Sequence, residues 1–373
     1  MNVLHQLAAV GQSIWYDNIS RSMIRSGTLQ RMVDEGLLGV TSNPTIFDNA
    51  ISGSTDYDDQ IRLLLSASPA MTTEALIRKL MEEDIGAAAD ILLPVYQRTG
   101  GKDGYVSIEV NPAKARDTEG TVREAEELWS GLARRNVMIK IPATREGLPA
   151  ITRTIAAGIN VNVTLIFSVE RYLDVVDAWL AGLEERVRTG KELAAVASVA
   201  SVFVSRIDTM VDDLLMRAAS TASPEQAARL RAMMGRAAVA NTRLVYAAFK
   251  RLVTSDRWAA LKGKGAVVQR PLWGSTGTKN PGYSDLLYVE SLIGPETVNT
   301  VPPATYAAIL AHGRALPAIE EGLSEASALV DQLREAGIDM AQVLVTLERD
   351  GVAAFERSFD GLSSNLNSKR TRS

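Results

Sequence analysis

Two rhythms of apolar and polar positions alternate along the chain. Short runs rich in β-branched and apolar residues predict strands at Ser13–Ile19, Leu38–Asn43, Tyr105–Val110, Val137–Pro142, Asn160–Phe167, Val196–Ser205, Ala266–Pro271 and Thr297–Val301. Runs such as Val137-Met138-Ile139 show no solvent-facing alternation, as expected of strands covered on both faces in a parallel sheet. Between the strands apolar residues return every three or four positions, which predicts helices such as Glu119–Arg135 and Ser168–Arg188. The longer connections Thr55–Gly86 and Ile207–Arg257 have room for more than one helix each. After Val301 the pattern predicts helices at Pro303–Arg314, Pro317–Glu335 and Ile338–Phe359. Pro317 is placed in a first turn, where its missing N–H costs nothing.

Eight strands alternating with helices is the count of an α/β protein of the (β/α)8, or TIM barrel, type. The expectation is one domain over residues 1–373, with C-terminal helices at about 315–360 packed on the barrel and a frayed polar tail at 361–373. A doubly wound open sheet is the competing architecture, but no G-x-G-x-x-G follows the first strand.

In such a barrel the chemistry sits at the C-terminal ends of the strands, where residues two apart share a face. Polar residues interrupt six consecutive strands at that end. They are Asp17 in "SIWYDN", Thr41 and Asn43 in "GVTSNPTIF", and Ser107 and Glu109 in "YVSIEVNP". Lys140 ends the fourth strand, Asn160, Asn162 and Thr164 share a face of the fifth, and Ser201, Phe203 and Ser205 a face of the sixth, with Arg206 just beyond. Taken singly, several have an ordinary structural explanation: Thr164 as a backbone partner, Asn43 as a turn residue before Pro44.

Lys140, inside the run Val137-Met138-Ile139-Lys140-Ile141, stands apart, because lysine is seldom buried unless it is paired or has a task. Burial penalises a charged amine and so favours a neutral nucleophile, ready to form a Schiff base with a carbonyl. The competing explanation is a structural Lys140–Glu109 ion pair, although buried pairs contribute little stability.

Composition narrows the chemistry. With no cysteine, thiolate nucleophiles and cysteine metal sites are excluded, and with two histidines, His5 and His312, far from other ligands, a metal centre is not expected. A net charge of −4 without a basic block argues against nucleic acid as the partner. No run is long enough to span a bilayer and the start lacks a secretory signal, so a cytoplasmic protein is expected. "GSTGTKNP", residues 274–281, fails the phosphate-loop spacing for a nucleotide, yet Ser275, Lys279 and the glycine amides suit a sugar phosphate after the seventh strand.

"GVTSNPTIF", "IKIPAT", "NVNVTLIFS" and "SVFVSRID", in this order, resemble the transaldolase family of the pentose phosphate pathway, in its longer bacterial form. The resemblance runs from about Trp15 to Pro303. It implies a (β/α)8 class I aldolase of carbohydrate metabolism, a transferase that needs no metal and no organic cofactor and acts on sugar phosphates. It implies Lys140 as the Schiff-base lysine, Asp17 as the acid/base at the hydroxyl next to the cleaved bond, and Glu109 as a second acid/base. Glu109 would work through a water held partly by Thr164. Asn43, Asn162 and Ser201 would bind the dihydroxyacetone fragment and Arg206 the phosphate. Members commonly carry a further arginine after the seventh strand; this chain has none there, and Lys279 is the candidate substitute. Phe203 replaces the tyrosine typical of the shorter aldolases that release free dihydroxyacetone, and the long C-terminal helices also favour transfer over release. A non-catalytic sugar-phosphate-binding barrel is the reading from another class, countered by the presence of Lys140, Glu109 and Asp17 together. A monomer or a homodimer is expected.

Overall fold

The strands close on themselves. In the computed structural model, which describes residues 2–370, β1 (Gln12–Asp17), β2 (Gly39–Thr41), β3 (Tyr105–Glu109), β4 (Val137–Pro142), β5 (Val161–Ile166), β6 (Ser198–Phe203), β7 (Arg270–Gly274) and β8 (Thr297–Val301) form a closed parallel barrel in sequence order. Parallel neighbours cannot be joined by a tight turn, so each connection carries helix, and the helices cover the outer faces of the strands. This is the expected TIM barrel with further C-terminal helices.

Register fixes which side chains meet. Glu109 pairs with Lys140, Lys140 with Asn162, Pro142 with Thr164, and Asp17 with Thr41, so the polar strand ends form one ring. Below that ring the interior is filled by an apolar cluster that includes Trp15, Met138, Leu272 and Val298. Gly39 is required there, because a Cβ at that position would stand 2.6 Å from the Trp15 ring. Under the cluster lies a charged floor. Asp103 accepts from Ser13 Oγ (2.9 Å), Trp15 Nε1 (3.1 Å) and Arg270 Nη2 (2.9 Å), while Arg270 Nη1 donates to Ser13 Oγ (2.9 Å).

Three expectations need correction. The seventh strand runs Arg270–Gly274, not Ala266–Pro271. Val267 and Val268 look β-forming, but the buried Arg270 floor bonds set where the chain enters the barrel, leaving Val267 39% exposed. Pro317 does not start a helix: the helix begins at Leu323, after Gly322 at φ +66°. The intervening segment is held instead by Ala318 and Ile319 N–H groups, which both donate to Ile293 O (2.9 and 3.1 Å). The final polar stretch is also no frayed tail across its described part, since one helix runs Met340–Arg370. Leu362 and Leu366, one helical turn apart, are fully buried, and Lys369 pairs with Asp58 at 2.9 Å. Residues 371–373 of that expected tail lie outside the described residues.

Candidate active site

At the C-terminal mouth a cavity of ≈ 140 Å³ is lined by Asp17, Asn43, Lys140, Asn162, Thr164, Ser201, Phe203, Arg206, Ser275 and Lys279. Every residue expected to act in catalysis or bind substrate, Glu109 aside, therefore faces one space, and Glu109 stands against Lys140. Of the other polar strand-end residues, Thr41 lines the cavity as well, whereas Ser107, Asn160 and Ser205 do not. The Lys140 amine lies 3.4 Å from Glu109 Oε2 and donates to Ser42 O at 2.9 Å; the two side chains are only 7% and 3% exposed. A carboxylate taken out of water resists ionisation, and burial pushes Glu109 up to about 7 against the opposing pull of Lys140. Burial likewise raises Asp17, and the charge of Lys140, the Thr41 hydroxyl and the charge of Lys279 each act against that rise.

Asp17 is held from its own ring. Thr41 Oγ1 donates to Asp17 Oδ1 at 2.8 Å and lies 2.7 Å from Thr300 Oγ1 of β8. On the opposite side Ser201 Oγ donates to Asn162 Oδ1 at 2.6 Å, and Asn162 Nδ2 donates to Ser107 Oγ at 3.0 Å. Asn43 Oδ1 caps a helix by accepting from Ile46 N–H (3.0 Å), which leaves its amide NH₂ as the group available to a ligand. Thr164 Oγ1 and Glu109 Oε2 are both buried without a hydrogen-bond partner in the protein.

Local strain accompanies these positions. Leu165, next to Thr164, adopts φ +61°, and the β5–β6 pairing slips between Val163 and Ile166. Such a bulge re-aims a strand end, here the one carrying Thr164. Ser275, first residue after β7, also sits at positive φ, +54°, and its hydroxyl lies 3.0 Å from Ser205 Oγ. Arg206 stands second in the helix Ser205–Thr221, where the helix dipole favours an anion. Its guanidinium lies 5.6 Å from the Phe203 ring centroid.

Lining residues given no role from the sequence include Thr41, noted there only as a polar strand end, and Thr300 and Phe355, which were not singled out. Thr300 carried the same signal as the others, a polar residue two positions after inward-facing Val298. Phe355 carried none, because a phenylalanine on the apolar face of a C-terminal helix reads as core. Among the described residues no three or more His, Cys, Asp and Glu side chains assemble into a metal-binding group.

A (β/α)8 barrel with a buried lysine between two carboxylates at its C-terminal mouth defines an enzyme of the lysine-aldolase class. The match to known sequences is specific. Residues 14–366 match the model of the Transaldolase/Fructose-6-phosphate aldolase family. The transaldolase of Saccharopolyspora erythraea is 49% identical over 96% of this chain and 95% of its own. That of Thermobifida fusca is 48% identical over 96% of both chains, and that of Trichodesmium erythraeum 44% identical over 99% and 97%. The chain belongs to the transaldolase/fructose-6-phosphate aldolase family and is a transferase.

Proposed function

We propose that the protein moves a dihydroxyacetone unit from sedoheptulose 7-phosphate or fructose 6-phosphate to glyceraldehyde 3-phosphate or erythrose 4-phosphate, in the cytoplasm and through a Schiff base on Lys140. The observation that carries this reading is the buried Lys140–Glu109 contact of 3.4 Å at the barrel mouth. A carboxyl near 7 is matched to proton exchange at neutral pH. Glu109 takes the amine proton, and Lys140 attacks the C2 carbonyl. The Thr164 hydroxyl, without a hydrogen-bond partner in the protein, and Glu109 Oε2, whose one close neighbour is the Lys140 amine at 3.4 Å, suit a shared water that carries protons while the carbinolamine dehydrates. The iminium then accepts the electron pair of the C3–C4 bond as Asp17 removes the C4 hydroxyl proton. A carboxylate made more basic by burial, and held in place by Thr41, is suited to that task.

The aldose phosphate leaves, an acceptor aldehyde takes its place, and the steps run backwards. Asn162, Ser201 and the Asn43 amide offer hydrogen bonds to the retained fragment. Arg206, Lys279 and Ser275 line the same cavity on the β6 and β7 side, and Arg206 makes no ion pair among the described residues, so its charge is available to phosphate. No described helix is long and apolar enough to cross a membrane. The test is borohydride reduction with fructose 6-phosphate, followed by mass spectrometry of the digest. A dihydroxyacetone-sized adduct on the Lys140 peptide is expected, and Lys140→Ala should keep the fold while losing both adduct and turnover. Folded protein that turns over substrate without an adduct would refute the mechanism.

A further inference from the structure

The helix Met340–Arg370 does more than pad the barrel. It crosses the C-terminal mouth and is pinned on both sides of Phe355. Before that residue, Arg171 Nε pairs with Glu348 at 3.1 Å; after it, Ser358 Oγ lies 2.8 Å from Thr45 Oγ1. Gly351 permits the close approach, since a Cβ there would stand 3.0 Å from Leu165 Cδ2. The approach brings the Phe355 ring centroid to 5.9 Å from Lys140 Nζ and 6.3 Å from the Phe203 ring.

The cavity thus has two unlike walls around the amine. One carries the hydrogen-bonding groups Asn162 and Ser201. The other is the apolar pair Phe355 and Phe203, each less than a tenth exposed. A substrate carbon bonded to Lys140 lies one bond length from Nζ, within reach of the Phe355 ring. We infer that Phe355 is a positioning residue that keeps water, the proton source, from C3 of the Lys140-bound enamine, so that the fragment waits for an acceptor aldehyde instead of being released. The inference rests on the Schiff-base reading above.

Release is a defined sequence. C3 of the enamine takes a proton, giving the iminium. Water oxygen bonds to C2 and gives up a proton, restoring the one consumed. The C2–N bond then breaks with its electron pair returning to Nζ, as the new hydroxyl proton passes to nitrogen. The products are free dihydroxyacetone and the lysine amine, with one water consumed. Transfer closes C3 with the acceptor carbon instead of a proton, and its product iminium is then hydrolysed at C2 in the same way. A wall that holds water off C3 therefore slows release at the step where the two routes part, which changes the ratio of the two rates.

The experiment measures that ratio. Full-length protein is given fructose 6-phosphate with and without erythrose 4-phosphate, and free dihydroxyacetone and sedoheptulose 7-phosphate are quantified. Phe355→Ala should raise release relative to transfer by about tenfold or more. Phe355→Val, which leaves a smaller cavity and so spares the fold if the alanine variant does not, should raise it by an intermediate factor. Phe355→Leu, which preserves apolar bulk, should stay within about twofold of the unaltered protein. Release and transfer falling together, with the ratio unchanged in a folded Ala or Val variant, would reduce Phe355 to a packing residue and overturn the inference. Borohydride trapping on the unaltered protein separates the two levels. An adduct on Lys140 with an unchanged variant ratio overturns this inference alone, whereas no adduct overturns the reading beneath it.

Discussion

Replacing Glu109 with glutamine tests both the electrostatics and the chemistry of the site. In the folded protein the carboxyl holds its proton up to about 7, against 4.5 in an unperturbed side chain. The folded state therefore binds that proton more tightly than the unfolded chain across this window. Stability contributed by the protonated carboxyl is present at acid pH and is lost as pH rises from 4.5 towards 7. Integrating the linkage between pH 5 and pH 8 gives about 2–3 kcal/mol. Glu109→Gln cannot ionise, so it lacks this slope. The stability difference, unaltered protein minus variant, should shrink or reverse by about that amount between the two pH values, read from urea unfolding at each. Other carboxyls titrate in both proteins and largely cancel. A difference constant within about 0.5 kcal/mol would refute the claim that burial controls this group. Turnover supplies the second readout: the rise in kcat through neutral pH should vanish in the variant, because on the proposed mechanism it is this carboxylate that takes the proton from Lys140.

Other perturbations separate the parts of the molecule. Arg206→Ala should raise KM for phosphorylated donors by about tenfold or more while dihydroxyacetone transfer from unphosphorylated fructose is little changed; equal losses on both would rule out a phosphate contact. Arg270→Met strands the buried Asp103 carboxylate in the barrel floor, and should cost about 3–5 kcal/mol in chemical denaturation. Its kcat/KM at 25 °C should stay near that of the unaltered protein, since the floor lies at the opposite end from the cavity. Truncation after Asp360 removes the fully buried Leu362 and Leu366 and should cost about 3 kcal/mol or more; an unshifted Tm would mean the end of the C-terminal helix is not stabilising.

The barrel was readable because its strands are covered on both faces, so any polar residue stands out against an apolar run. Lys140 in "VMIKI" and Asn162 in "NVNVTLI" show the effect, and the period of two then gathers the inward residues into one ring. Strand limits were less readable where a long-range contact decides them. Val267-Val268 has the local preference for a strand, yet the floor bonds of Arg270 place β7 further along. The polar ending hid a helix for the same reason: two leucines one turn apart mean little until a surface is there to bury them. Phe355 lies 215 residues along from Lys140, a distance that only tertiary structure closes.

The filled floor also gives the barrel a direction. Trp15, Leu272 and Val298 block the interior beneath the polar ring, and the Arg270–Asp103 pair seals it further. Nothing the size of a sugar passes through, so arrivals and departures share one doorway. On the proposed mechanism the departing aldose phosphate and the incoming acceptor are chemically alike and draw on the same phosphate contacts. Alternation between donor and acceptor is then a matter of traffic as well as chemistry, and each aldose phosphate is bound to compete with the other for the loaded enzyme.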